Sequence, residues 1–108
     1  MEAVRTVFEV TASRDGDVAT VVVAGDVDSE SVSELIAISD AQLVEGTTGL
    51  RLDLTDTTFV DSSGLVVLLD LRAAGAERDI GLTLVRPSQA VQRILELSEL
   101  VSVFDIER

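Results

Sequence analysis

The chain has 108 residues, with 20 acidic and 8 basic side chains, so its net charge at pH 7 is −12 (8 − 20); this length makes one small domain. All eight basic residues are Arg, and Lys, His, Cys, Trp and Tyr are absent. These absences exclude Ser-His-Asp and Cys-His nucleophiles, a Cys/His zinc site, a disulfide and a Walker-type phosphate loop, and the charge repels DNA and RNA backbones.

Val4 to Thr11 alternates, with Val4, Thr6, Phe8 and Val10 on one side, which predicts a strand with one buried face. Asp15-Gly16 marks a hairpin turn. Val18 to Gly25, built around Val21-Val22-Val23, reads as a strand buried on both faces. Ser29 is placed to cap a helix running to Glu45 and ended by Gly46, with Val32, Leu35, Ile36 and Leu43 near helical spacing. Leu50 to Leu54 is a strand, and Asp56 to Asp61 a loop. Ser62-Ser63-Gly64 opens a second helix reaching about Glu77. Ile80 to Val85 is a strand, Pro87 to Leu97 a third helix with Pro87 in its first turn, and Val101 to Ile106 a last strand. The order β-β-α-β-α-β-α-β predicts an α/β domain with a mixed, mostly parallel sheet and helices packed on it; the opening hairpin supplies the antiparallel pair.

Apolar residues make up 46% of the chain, enough for a core that acidic disordered chains lack. No run approaches the roughly 18 apolar residues of a membrane span. Met1 to Arg5 carries no secretory pattern, so a cytoplasmic domain is expected.

The stretch Thr58-Phe59-Val60-Asp61-Ser62-Ser63-Gly64-Leu65 lies where a strand ends and a helix begins. In open α/β sheets that edge collects ligands, and free amides at a helix start favour an anion. The local alternative is that Asp61 or Ser62 only caps the helix. Gly64 inside the first turn costs about 1 kcal/mol against Ala, and lacking a side chain it would let another molecule approach the backbone.

In the second helix Ser62, Val66 and Ala73 fall within about 40° of one another, with Asp70 nearby, at about 100° per residue. If Val67, Leu68 and Leu71 face the core, Val66 and Ala73 form an apolar strip running from Ser62, as at a protein interface. The alternatives are a helix buried on both sides or a weak homodimer contact.

Asp26 and Asp28 follow a central strand and are expected at the same edge. Gathered carboxylates suit Mg²⁺, which raises two enzyme readings, a phospho-accepting receiver and a DxD phosphotransferase. Both need a Lys beside the acids, and Arg replaces it poorly. The simpler reading of both acids is solvation and negative charge at the first helix's N-terminus; it is preferred for Asp26.

Three blocks now resemble one family. Val21-Val22-Val23-Ala24-Gly25-Asp26-Val27-Asp28 is similar to a hydrophobic strand ending in Gly-Glu-Leu-Asp. Leu52-Asp53-Leu54 through Phe59-Val60-Asp61-Ser62-Ser63-Gly64-Leu65 resembles a strand–loop–helix signature ending in Asp-Ser-Ser-Gly-Leu. Ser88, Val91, Leu95 and Leu100 resemble a last helix and turn. The chain, over residues 4–108, looks like a STAS domain of the anti-sigma factor antagonist (anti-anti-sigma factor) type. It departs from the pattern at Asp26, where Glu is commoner, at Glu99, where Gly is usual, and in having no helix after the last strand.

The resemblance implies a phosphoprotein of transcription regulation that works by partner switching and protein binding, not an enzyme, and needs no cofactor. Its partner would be an anti-sigma factor with a serine-kinase fold, which phosphorylates Ser62; a phosphoserine phosphatase would reverse the mark. Asp26, Asp28, Thr58, Asp61, Ser63, Gly64, Val66 and Ala73 would form the partner-binding surface, with neither nucleic acid nor membrane engaged. The phosphate would rest against the helix amides and leave the fold intact. The alternative within the same fold is a stress-signalling scaffold or a transporter-associated STAS module using the same surface.

Overall fold

A computed structural model describes residues 7–108; the first residues of the expected opening strand lie outside that range. β1 (Glu9–Asp15) and β2 (Val18–Val27) form the antiparallel hairpin around Asp15-Gly16, with Gly16 at φ 64°. α1 (Val32–Asp40), β3 (Gly49–Asp53), β4 (Thr57–Val60), α2 (Ser62–Ala76), β5 (Gly81–Val85), α3 (Gln89–Leu97) and β6 (Asp105–Glu107) follow. The sheet order is β1-β2-β3-β5-β6, parallel from β2 onward, with β4 pairing beside the end of β2. This is the expected mixed α/β domain.

Register explains where the core sits. Val21, Leu52 and Leu84 align across three strands, as do Ala19, Leu50 and Leu82, and all six are buried. They join Leu35 of α1, Val67, Leu68 and Leu71 of α2, and Val91 and Leu95 of α3 in one apolar cluster. The opposite face stays open. β2 is therefore not buried on both faces as expected: its burial alternates, and Val22 is 36% exposed. On the open face Arg51 makes two bonds to Glu107 (2.8 and 2.7 Å) and Arg86 reaches Asp53 at 2.7 Å. Helices thus cover only one side of this sheet, and charged pairs coat the other.

Four element boundaries differ from expectation, each for a local reason. α1 starts at Val32, not Ser29, because Asp28 and Ser31 close a turn ahead of it: the Asp28 carbonyl accepts from the Ser31 and Val32 amides (3.1 and 3.0 Å). It ends at Asp40, not Glu45. Tighter bonds (Gln42 N to Ser39 O and Leu43 N to Asp40 O, both 3.0 Å) turn Leu43 into the core, while the Thr47 hydroxyl and the Arg78 guanidinium take the Gln42 and Leu43 carbonyls. Pro87 precedes α3 instead of opening it, since Ser88 is the N-cap and accepts from Val91 N at 3.3 Å. Val101–Val103 is one 3-10 turn, so only Asp105–Glu107 joins the sheet as β6.

The fifth difference shapes the candidate site. The expected loop from Asp56 to Asp61 contains β4, a parallel partner of β2 that aligns Gly25 with Thr57, Asp26 with Phe59 and Val27 with Val60. Its residues, Thr-Thr-Phe-Val, are strong strand formers. The register slips between Gly25 and Asp26. Gly25 is at φ 101°, and a side chain there would meet the Val7 carbonyl oxygen at 2.7 Å. β4 carries the chain directly into α2.

Candidate functional site

The Asp61 amide donates to the Val27 carbonyl (3.2 Å), which joins the end of β2 to the start of α2. Asp61, not Ser62, is the N-cap. A single carboxylate oxygen, Asp61 Oδ1, accepts from Ser63 N (2.9 Å), Gly64 N (3.1 Å) and Ser63 Oγ (2.5 Å). The Ser63 hydroxyl bond and then the Gly64 amide hold this carboxyl below its ordinary range, against a smaller upward push from burial.

The two serines are thereby made unequal. Ser63 is half-buried and its hydroxyl is spent on Asp61, whereas Ser62 is exposed and its hydroxyl makes no hydrogen bond among the described residues. Val66 (53% exposed), Asp70 and Ala73 share the exposed side of α2 with Ser62, while Val67, Leu68 and Leu71 are buried. Ala73 lies eleven positions from Ser62, roughly 16 Å along the axis, so this surface is extended.

Gly64 has a different role from the one expected. It is buried, and a side chain on it would meet Val60 Cγ1 at 2.8 Å, Val27 Cγ1 at 2.9 Å and the Val27 carbonyl oxygen at 3.0 Å. The glycine lets α2 approach its own sheet; it does not open the backbone to another molecule.

The helix-terminus role preferred for Asp26 falls to Asp28. Asp26 is tied across to β4, where Thr58 Oγ1 donates to its carboxylate at 2.5 Å. Asp28 serves the start of α1: its Oδ1 accepts from Glu30 N (3.0 Å) and Ser31 N (3.2 Å). The Ser31 hydroxyl donates to the Asp26 carbonyl at 2.7 Å and links the two positions. The structure thus brings Asp26, Thr58, Asp61 and Ser63 onto the joined ends of β2, β4 and α2, and leaves Asp28 beside α1. Among the described residues no three acidic side chains converge to hold a metal ion.

Phe59 lies within the candidate stretch but was not among the residues expected on the partner-binding surface. It is 49% exposed on β4, two residues before Asp61. An aromatic in a segment taken for a loop offers no period to follow; the available signal was that it is one of only three aromatic residues. Among the described residues no helix is long and apolar enough to cross a membrane.

Comparison with known proteins places this geometry in a family. The family model described as "Mlab, STAS domain" matches residues 10–104. An anti-sigma-B factor antagonist of Listeria monocytogenes is 28% identical over 94 residues, covering 87% of this chain and 82% of the relative. An anti-sigma factor antagonist from Mycobacterium paratuberculosis shares the fold with a TM-score of 0.78 at 22% identity, over 94% of this chain and 86% of that one. The Bacillus cell fate determinant SpoIIAA in its phosphorylated form superposes with a TM-score of 0.67 at 18% identity, over 94% and 92% of the two chains. With all but the ends of the chain matched by the family model, the chain belongs to the STAS domain family.

Proposed function

We propose that this STAS domain, taken over residues 4–108, is an anti-sigma factor antagonist whose binding is switched off by phosphorylation of Ser62. The partner is an anti-sigma factor with a serine-kinase fold; binding it frees a sigma factor, and a phosphoserine phosphatase resets the switch. The chain is substrate and ligand here, not catalyst. One observation carries the reading: of the adjacent serines at the start of α2, Ser62 presents an exposed, unbonded hydroxyl and Ser63 does not. The docking surface around it comprises Asp26, Thr58, Phe59, Asp61 and Ser63, continues along α2 through Val66 to Ala73, and has Asp28 at its border. Gly64 supports it from below.

The energetics favour an on/off response. A phosphoryl group adds about −1.5 to −2 charges and considerable bulk. An interface shaped around a bare hydroxyl would bury that charge unpaired, at a cost of several kcal/mol, and each 1.4 kcal/mol is tenfold in affinity. The change in net charge from −12 to about −14 alters the long-range field little, so the effect is local.

The test begins with a kinase-fold protein captured from native lysate by the unmodified chain. Ser62→Ala should keep binding it and lose all phosphate incorporation, Ser63→Ala should still be labelled, and Ser62→Glu should bind at least about a hundredfold more weakly. Stoichiometric labelling of Ser62→Ala would defeat the assignment. A second reading, within the same fold, is a stress-signalling scaffold or a transporter-associated STAS module using the same surface. Gel filtration of the native complex separates the two: a small complex with the kinase supports the antagonist, and a megadalton or membrane-bound assembly supports the alternative.

A further inference from the structure

α1 and α2 pack beside each other, and a groove of about 260 Å³ opens between them. Its apolar lining consists of the buried Val67 and Leu71, the half-buried Ala74, and Ile36, which is left 38% exposed. Asp40 of α1 and Asp70 of α2 complete the groove, and no basic side chain lines it. Both acids are exposed, and among the described residues neither carboxylate makes a hydrogen bond or a salt bridge. Every residue three or four positions from Asp70 along α2, and before Asp40 along α1, is apolar, so neither acid has the local countercharge a helix can supply. Asp40 is also the last residue of α1, and the last turn of that helix holds no base, so its charge adds to the negative end of the helix dipole. For the chain alone this placement is unfavourable. For a cation in the groove, both carboxylates and the dipole act together.

We propose that this groove receives an arginine side chain of the partner protein, its aliphatic stem on the apolar lining and its guanidinium between Asp40 and Asp70. The proposal deepens the reading above and rests on it for the partner: Asp70 shares the exposed side of α2 with Ser62 and Val66, so the groove continues the docking surface. Arginine combines a stem that apolar residues can cover with a planar fork of donors able to serve two carboxylates, whereas lysine presents a compact, strongly hydrated charge. Arginine is also enriched in protein interfaces and lysine depleted. Asp70 lies eight positions from Ser62, roughly 12 Å along the axis. The groove is therefore a second anchor, set apart from the switch.

Two arms test it. The first needs no partner: methyl and amide resonances of the full chain are followed as N-acetyl-L-arginine amide is added, with N-acetyl-L-lysine amide as comparison. The arginine compound should move the Ile36, Leu71 and Asp70 signals saturably, and more than the lysine compound does. The double variant Asp40→Asn/Asp70→Asn, which preserves shape at two exposed positions, should keep its fold and lose the response. Asp17→Asn/Asp105→Asn, an equal change of charge at exposed positions outside the groove, should retain it. The second arm measures affinity for the captured anti-sigma factor. Asp40→Asn/Asp70→Asn should weaken binding about thirtyfold or more, since it leaves a docked guanidinium unpaired, while the Asp17/Asp105 control stays within about twofold of the parent. In a Ser62→Glu background the two losses should add, because the sites are separate. Unmoved groove resonances, an equal response to the lysine compound, or shifts that persist without the two carboxylates overturn the proposal. So does a loss of affinity no greater than the control's, and Ser62→Ala and Ser62→Glu then report separately on the switch. If no kinase-fold partner is captured, the earlier reading fails and the first arm still decides whether the groove takes arginine.

Discussion

Gly64 shows how a single residue reverses a general rule. Gly→Ala inside a helix ordinarily gains about 1 kcal/mol. Here the new methyl would lie at 2.8–3.0 Å from Val60, Val27 and the Val27 carbonyl oxygen. That oxygen also accepts the Asp61 amide, so it cannot retreat without loosening the cap. Overpacking of this kind costs about 1–3 kcal/mol, which equals or exceeds the helix gain. Gly64→Ala should therefore destabilise the protein by up to about 2 kcal/mol in urea titration. A gain in stability would show that α2 does not bear on the sheet at this point. The sequence made Gly64 conspicuous, but its function depends on Val27 and Val60, distant in sequence or set on an unforeseen strand. The inequality of Ser62 and Ser63 was hidden similarly: it follows from where one carboxylate oxygen points, and the two hydroxyls are identical in the sequence.

At the scale of elements, the ends of α2 and α3 follow one geometry. After α3, Leu100 N donates to Leu95 O (2.9 Å) and Glu99 N to Glu96 O (3.1 Å), with Glu99 at φ 61°. After α2, Ile80 N donates to Gly75 O (2.8 Å) and Asp79 N to Ala76 O (3.3 Å), with Asp79 at φ 57°. These are Schellman ends, whose left-handed residue is usually Gly. The departure noted at Glu99 thus falls where a side chain is strained. Glu99→Gly should remove roughly 1–2 kcal/mol of backbone strain and return part of it as added freedom in the unfolded chain. The expected net gain is up to about 1 kcal/mol, read as a raised melting temperature; a loss would place the Glu99 side chain in an unseen supporting role. Elements with a clear period or a turn dipeptide were legible: the Asp15-Gly16 hairpin, β3, β5 and most of α2 and α3. β4 was not, because four residues are too short to display alternation and its pairing with β2 is non-local. The early end of α1 escaped because Leu43 reaches the core from a turn while keeping apparent helical spacing. The Asp-Ser-Ser-Gly block was legible as a candidate site because its residue types suit a helix start, whereas the exposure of Phe59 follows only from β4.

The whole molecule has an unusual titration inventory. Without His, Cys, Tyr or Lys, no side chain changes charge between the carboxylates and the guanidinium groups. Stability should therefore be nearly flat from about pH 6 to pH 9. Below that range three carboxyls held low contribute to the slope, the exposed Glu107 through its bond from Arg51, together with Asp61 and Asp53. Asp61 is held low by the Ser63 hydroxyl and the Gly64 amide. Burial pushes the Asp53 carboxyl up, but bonds from Thr55 and Arg86 outweigh this and leave it low. A carboxyl depressed on folding stabilises the protein above its unfolded-state pKa, and that contribution disappears as pH falls through its folded-state value. Acid should thus begin to destabilise this protein near the ordinary carboxylate range and continue to do so below it. Asp61→Asn and Asp53→Asn should each flatten that acid limb while leaving the neutral plateau level. Phosphoserine at position 62 introduces a group with a second pKa near 6, so the modified protein should acquire a slope within the plateau where the unmodified chain has none. Urea titrations across pH on both forms measure these slopes. A slope in the unmodified protein between pH 6 and 9 would contradict the titration inventory, and a level phosphorylated form would show that the phosphate meets the same electrostatic surroundings folded and unfolded.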